Sequence, residues 1–142
     1  MSRVVTFGEI MMRLNPDGYI ELLQAPSLNI SFAGGEANAA VSIANFGMDV
    51  DFVTKLPNNV LGKRAAMELR KYGVEVNKIV YGGPRLGTYF VEKGVSQRPV
   101  KVLYDRQNSS IALAKRSDFD WEKILEGASW FHFTGITPAL GG

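Results

Sequence analysis

Residues 31–47 restrict the fold more than any other part of the chain. An extended run over residues 29–32 leads into three small residues at 33–35, which predict a tight turn. Apolar residues then recur with the spacing of one helical face, at Ala37, Ala40, Val41 and Ala44. Gly47 suits the left-handed position that commonly follows a helix. The pattern predicts a strand, a turn and a helix that ends at Gly47.

Two short apolar runs, residues 4–7 and 50–54, are rich in β-branched and aromatic residues, which predicts buried strands. A strand, a helix and a further strand form a βαβ-like unit, which requires a crossover connection and favours a parallel sheet. A second helix is predicted to begin at Asn58 or Asn59, either of which can cap it. It runs to Tyr72, and its predicted buried stripe consists of Leu61, Ala65, Leu69 and Tyr72.

Between residues 74 and 113 the pattern changes to short extended runs at 76–81, 86–93 and 99–105. Their spacing is typical of hairpins, so a second, smaller antiparallel sheet is predicted. Residues 130–134 are predicted to form another buried strand, with no helix after it. The expected fold class is α/β, with an antiparallel patch beside a parallel sheet.

The composition excludes several classes of function. A length of 142 residues fits one domain, and a net charge of +2 carries no electrostatic footprint of nucleic-acid binding. Cysteine is absent, which excludes disulfides and thiolate metal sites and fits a reducing compartment. The sequence contains neither a signal peptide nor an apolar run of the ~20 residues that span a bilayer. We therefore expect a cytoplasmic protein that binds neither nucleic acid nor membrane.

The turn before the first predicted helix is the best candidate for ligand binding. A helix N-terminus offers unpaired N–H groups and a partial positive charge, and Gly34 and Gly35 allow a ligand to approach the backbone. The amide of Asn38 can both donate and accept hydrogen bonds. These groups suit a polyol or a sugar acid. The same residues also fit an ordinary turn before a core helix, and the Gly pair alone does not decide between the two.

This Gly-Gly turn, followed by Asn38 and small residues on a helix, resembles the first signature of the PfkB (ribokinase-like) sugar kinases. Glu36 and the segments at residues 102–106 and 131–140 resemble the branch of that family that acts on 2-keto-3-deoxygluconate. The resemblance covers essentially the whole chain but only about half of a family member. The sequence departs from the family pattern at two positions. Ala33 stands where the first Gly of the pair is usual, and Glu36 stands where the broader family has a small residue.

The resemblance implies a ribokinase-like fold in which helices flank a parallel central sheet. A small antiparallel β lid, formed by residues 10–32 and 74–113, would be inserted into this α/β core. The implied activity is ATP-dependent phosphorylation of 2-keto-3-deoxygluconate, with fructose or another PfkB sugar as the alternative substrate. The Gly-Ala-Gly-Asp type motif that carries the family's catalytic Asp does not occur in residues 1–142. We therefore expect the C-terminal half, which would bind most of ATP and Mg²⁺, to be absent and this chain to be inactive alone.

The resemblance also implies a set of substrate-binding residues, and no catalytic residue or metal ligand within the chain. Arg106 is expected to bind a carboxylate through paired hydrogen bonds, with Tyr104 on the same side of its strand. Glu36 is expected to bind hydroxyls or cap its own helix, because its charge would repel an anionic sugar. The full set comprises Gly34, Gly35, Glu36, Ala37, Asn38, Tyr89, Tyr104, Arg106 and Ile136.

Two further expectations concern partners and function class. Lids in the resembled family commonly pair, so a homo-oligomer formed through the β lid is expected. The expected ligand is a small-molecule sugar acid. A non-catalytic sugar-binding or dimerisation module remains the alternative from a different class. His132, the single histidine, lies between two phenylalanines and is expected to be a core residue and not a catalyst.

Overall fold

The computed structural model describes residues 2–141. In chain order its strands are β1 (Arg3–Phe7), β2 (Met11–Asn15), β3 (Asn29–Ala33), β4 (Asp49–Val53), β5 (Lys55–Leu56), β6 (Val80–Tyr81), β7 (Thr88–Glu92), β8 (Lys101–Asp105) and β9 (Ala128–His132). Its α-helices are α1 (Gly35–Asn45), α2 (Val60–Lys71), α3 (Trp121–Leu125) and α4 (Ile136–Ala139), and 3₁₀ turns lie at Leu22–Gln24 and Arg116–Asp118.

The parallel sheet has the strand order β4-β1-β9, and β1 pairs in parallel with both neighbours. Because α1 lies between β1 and β4 in the chain, the predicted strand–helix–strand unit is confirmed. Neighbouring residues of β4 point to opposite faces, so Phe52 packs in a core with α1 and α2, while Val53 packs in a second core with Phe119. The sheet is therefore covered on both faces, and the predicted α/β class is confirmed.

The second sheet has the strand order β3-β2-β7-β8. Its outer pairs, β2–β3 and β7–β8, are antiparallel as predicted, whereas the central pair, β2–β7, is parallel. The connection between β2 and β7 passes through α1, β4 and α2, and so long a crossover allows two strands to run in the same direction. The predicted antiparallel patch is thus a mixed four-stranded sheet.

The strand predicted at residues 76–81 is wrong in both length and partner. Only Val80–Tyr81 forms a strand, and it pairs in parallel with Lys55–Leu56 instead of joining the four-stranded sheet. Val74 and Ile79 are buried in the core that contains α2. The apolar residues around this segment therefore pack beneath a helix, which an extended run on the sequence does not distinguish from a hairpin strand.

The helix α2 begins at its predicted cap, but its buried face differs from the predicted one. The Asn59 side chain accepts hydrogen bonds of 3.0 Å from the N–H groups of Leu61 and Gly62. An added Cβ at Gly62 would lie 2.1 Å from the carbonyl oxygen of Pro57, so the helix packs closely on this side. Leu61 and Tyr72 are consequently exposed. The buried positions are Gly62, Ala65, Ala66 and Leu69.

The strand β9 is mostly exposed, contrary to the predicted buried strand. It lies at an edge of the parallel sheet, and Trp130 exposes 67% of its surface. His132 is only half-buried, and α4 follows where no helix was predicted. Among residues 2–141, no helix has the length and apolar character needed to cross a bilayer.

Candidate functional site

The N-terminus of α1 is positioned by Gly34, whose backbone is extended and buried. An added Cβ at Gly34 would lie 1.9 Å from the backbone oxygen of Glu9, so a larger residue would force a backbone shift. Gly35 is exposed, with open space beside it, and Asn38 is exposed one turn later. Gly34 is therefore required because the backbone of Glu9 approaches it closely. Gly35 and Asn38 lie on the exposed side of the first turn of α1.

Glu36 and Ala37, both predicted to bind substrate, face the protein interior. Ala37 belongs to the core under α1. Glu36 is 4% exposed and accepts a hydrogen bond from the hydroxyl of Thr134, which lies just after β9. Its carboxylate also packs on Gly8, where an added Cβ would lie 2.2 Å from Oε2. Glu36 thus links α1 to the ends of β1 and β9.

Arg106 is paired with Glu9, a residue outside the predicted site. The guanidinium donates from Nε to Glu9 Oε2 over 2.8 Å and from Nη2 to the same oxygen. Glu9 is 3% exposed, and its other oxygen, Oε1, is buried with no hydrogen-bond partner in residues 2–141. Gly87 makes room for Oε1, since an added Cβ there would lie 2.3 Å away. A guanidinium has five N–H groups, and Glu9 engages two of them.

The two predicted tyrosines form a stacked pair beside Arg106. The rings of Tyr89 and Tyr104 lie 5.8 Å apart with an interplanar angle of 26°, and the guanidinium of Arg106 lies 5.7 Å from the Tyr104 ring centre. Burial raises the pKa of the Tyr89 hydroxyl, and the positive charge of Arg13 partly offsets this rise. The structure therefore brings Tyr89, Tyr104 and Arg106 together, with a cation–π contact between Arg106 and the Tyr104 ring.

Arg13 is a second residue that the sequence analysis missed. It lies in the middle of β2, directly opposite Ser31 on β3 and Tyr89 on β7, and Tyr89 is in turn opposite Tyr104 on β8. Residues directly opposite each other share a face, so these four side chains form one row across the sheet. A charged residue in the middle of a mainly apolar strand was the available signal for Arg13, and an acidic residue that follows a buried strand after one glycine was the signal for Glu9.

Four of the predicted residues line two cavities, Ala37 and Asn38 the first and Tyr104 and Arg106 the second. One, of about 520 Å³, lies between the four-stranded sheet and helices α1 and α2, and Arg13, Ala37 and Asn38 line it. The other, of about 670 Å³, lies beside Tyr104 and Arg106. Glu9 connects the two groups of residues, because its backbone packs on Gly34 and its carboxylate binds Arg106.

Ile136 lies apart from both cavities, at the start of α4. Its side chain is 56% exposed, and its N–H donates to the hydroxyl of Thr134 over 3.4 Å. Since Thr134 also donates to Glu36, Ile136 is connected to the N-terminal turn of α1 through two hydrogen bonds. In the described part of the chain, no cluster of three or more His, Cys, Asp or Glu side chains could hold a metal ion.

Three comparisons relate this geometry to known proteins. A family model described as pfkB family carbohydrate kinase matches residues 1–140. The crystal structure of 2-dehydro-3-deoxygluconokinase from Thermotoga maritima superimposes with a TM-score of 0.98 at 57% sequence identity, over 100% of this chain and 44% of that protein.

Two curated relatives give the same pattern. The 2-dehydro-3-deoxygalactonokinase of Haloferax volcanii is 38% identical over 139 residues, which are 98% of this chain and 43% of the relative. The 2-dehydro-3-deoxygluconokinase of Bacillus subtilis is 30% identical over 137 residues, 96% of this chain and 42% of the relative. The chain thus spans less than half the length of the relatives that it matches.

Proposed function

Because the chain belongs to the pfkB family of carbohydrate kinases, we propose that the protein containing it is an ATP-dependent kinase for 2-keto-3-deoxygluconate. The observation that carries the substrate class is the Arg106 guanidinium, which lies over the Tyr104 ring and has N–H groups that Glu9 does not engage. Such a group suits a carboxylate, which a neutral ketose lacks. The names of the three relatives described above, two 2-dehydro-3-deoxygluconokinases and a 2-dehydro-3-deoxygalactonokinase, support the same class, whereas relatives at 29% and 27% identity are named fructokinases.

In this proposal the sugar lies against the first turn of α1 and the tyrosine pair. Asn38 and the exposed backbone at Gly35 bind hydroxyl groups, since an amide and free helix N–H groups can both donate to oxygen. Tyr89 and Tyr104 flank the sugar, Arg106 binds its carboxylate, and Ile136 contacts it from α4. Gly34, Glu36 and Ala37 contribute by holding α1 in place, because each is buried.

The phosphoryl donor is proposed to bind elsewhere in the protein. ATP would supply the transferred group, and Mg²⁺ would neutralise charge on its phosphates. Residues 2–141 contain no cluster of three or more His, Cys, Asp or Glu side chains that could hold a metal ion. The sequence also lacks the Gly-Ala-Gly-Asp type motif. We therefore propose that this chain binds the sugar and that, alone, it transfers no phosphoryl group.

We also propose that the four-stranded sheet mediates self-association. Every residue of β8 is exposed, including Val102 at 44% and Leu103 at 62%. Exposed apolar patches of this kind commonly mark association surfaces. Sedimentation at high protein concentration would contradict the proposal if it found a strict monomer. The alternative of a non-catalytic dimerisation module predicts the same association with no sugar phosphorylated.

The experiment that tests the substrate assignment compares Arg106→Ala with wild type in the protein that contains this chain. Removing one partner of a desolvated charge pair costs on the order of 2–5 kcal/mol, so the KM for the sugar acid should rise by roughly 30-fold or more. The KM for ATP should change little. Arg70→Ala, an equal charge change at an exposed position of α2, is the matched control. Wild-type efficiency of Arg106→Ala on the sugar acid would contradict the proposed role.

A further inference from the structure

Arg13 forms no ion pair within residues 2–141, and its guanidinium lies beside the Tyr89 hydroxyl. Its Nε is buried without a hydrogen-bond partner in the same part of the chain. The acidic side chain that lines its cavity, Glu68, forms an ion pair of 3.3 Å with Lys71. A buried donor without an acceptor is costly, so a bound oxygen atom at this position would relieve that cost.

The charges around α1 explain why a second guanidinium matters. Glu9 and Glu36 are both almost fully buried near the N-terminus of α1, and Arg106 is bound to Glu9. Two carboxyl groups and one guanidinium therefore lie near this turn, so a further cation that faces the cavity would favour an anionic ligand.

The strand register places Arg13 at one end of the tyrosine pair. Arg13 lies opposite Tyr89 on the neighbouring strand, whereas Arg106 lies over the ring of Tyr104. Each ring of the pair therefore has a guanidinium as neighbour, Arg13 beside Tyr89 and Arg106 beside Tyr104. Arg13 also lines a cavity of about 520 Å³ together with Asn38, the residue proposed to bind hydroxyls.

We propose that Arg13 is a substrate-binding residue that determines specificity for an anionic sugar, to whose oxygen atoms its guanidinium donates across the cavity from Asn38. This inference rests on the proposed function and assigns to that site a residue that neither the sequence analysis nor the family resemblance included. Arg106 would then not act alone, because Glu9 already neutralises part of its charge. Discrimination between a sugar acid and a neutral ketose would depend on both guanidinium groups.

The test compares Arg13→Gln, Arg13→Lys and the exposed control Arg70→Gln in the protein that contains this chain. KM and kcat are measured for 2-keto-3-deoxygluconate and for fructose at saturating ATP, and thermal melts verify folding. For Arg13→Gln we expect the KM for the sugar acid to rise by about 10- to 100-fold, with a much smaller change for fructose. Arg13→Lys should recover part of the loss, because it restores the charge without the planar donor group.

The outcomes separate this inference from the proposed function. If wild type phosphorylates the sugar acid and Arg13→Gln keeps its KM within about twofold, Arg13 does not bind substrate and the proposed function stands. If Arg13→Gln loses activity equally on both sugars, Arg13 is a structural residue and the specificity role is wrong. If wild type acts only on neutral sugars, both the proposed function and the role of Arg13 are wrong.

Discussion

Replacing Glu9 with Gln should destabilise the protein more than the small change in shape suggests. The carboxylate is 3% exposed and accepts two hydrogen bonds from Arg106, whose side chain is 20% exposed. Gln keeps the volume but leaves the guanidinium largely buried without a counter-charge. Breaking a buried pair costs about 3–5 kcal/mol, and the partial exposure of Arg106 reduces the expected loss to about 2–3 kcal/mol.

A double-mutant cycle measures the pair itself. Arg106→Met leaves the Glu9 carboxylate as an uncompensated buried charge, whereas the double variant Glu9→Gln/Arg106→Met removes both charges. The double variant should therefore cost less than the sum of the two single variants. We expect a coupling energy of at least about 1.5 kcal/mol, measured from denaturant midpoints in variants that share one m value.

The exposed pair Lys71–Glu68 provides the control for this cycle. Its side chains are 61% and 31% exposed, and pairs of this kind contribute about 0.3–0.5 kcal/mol. A parallel cycle at Lys71 and Glu68 should therefore give a coupling energy well below that of the buried pair. If the effects at Glu9 and Arg106 add within about 0.5 kcal/mol, the reasoning that Glu9 holds the guanidinium is refuted.

Two further predictions follow from local contacts. Gly34→Ala should lower the melting temperature far more than Gly35→Ala, because its Cβ would lie 1.9 Å from a carbonyl oxygen, whereas Gly35 has open space; equal effects would contradict this. The pKa of Asp118 is lowered because the Lys115 backbone N–H and the Lys55 ammonium donate to it. This stabilisation is present above the ordinary carboxyl pKa and is lost as the pH falls through the lowered folded value, so Asp118→Asn should destabilise at neutral pH and converge with wild type in acid. A constant difference in denaturation midpoint at every pH would count against it.

The main architecture was predictable because it depends on local patterns. The small residues at 33–35 and the helical spacing after them predicted α1, and a capping asparagine at 58 or 59 predicted the start of α2. The crossover rule then predicted a parallel sheet, in which the structure pairs β1 with β4. In each case neighbours in the sequence supply the interactions that form the element.

The remaining features depend on contacts between distant segments. Three of these features depend on how segments of the chain pack against each other, which the periodicity of the sequence does not encode. They are the parallel pairing of β2 with β7, the close packing of Gly62 on Pro57 and the exposure of Trp130. The same holds for the site: the resemblance of residues 102–106 to the family pointed to Arg106, but its partner Glu9 lies 97 residues away in the chain. The importance of Arg13 likewise emerges only once Tyr89 lies opposite it.

The most direct test of the proposed function is a competition assay with the purified protein that contains this chain. Equal concentrations of 2-keto-3-deoxygluconate and fructose compete for phosphorylation by ATP, and the ratio of products reports the ratio of the two kcat/KM values. The proposal predicts that the phosphorylated sugar acid exceeds fructose phosphate by at least about tenfold, because two guanidinium groups discriminate in its favour. Predominance of fructose phosphate, or no phosphorylation of either sugar, would contradict it.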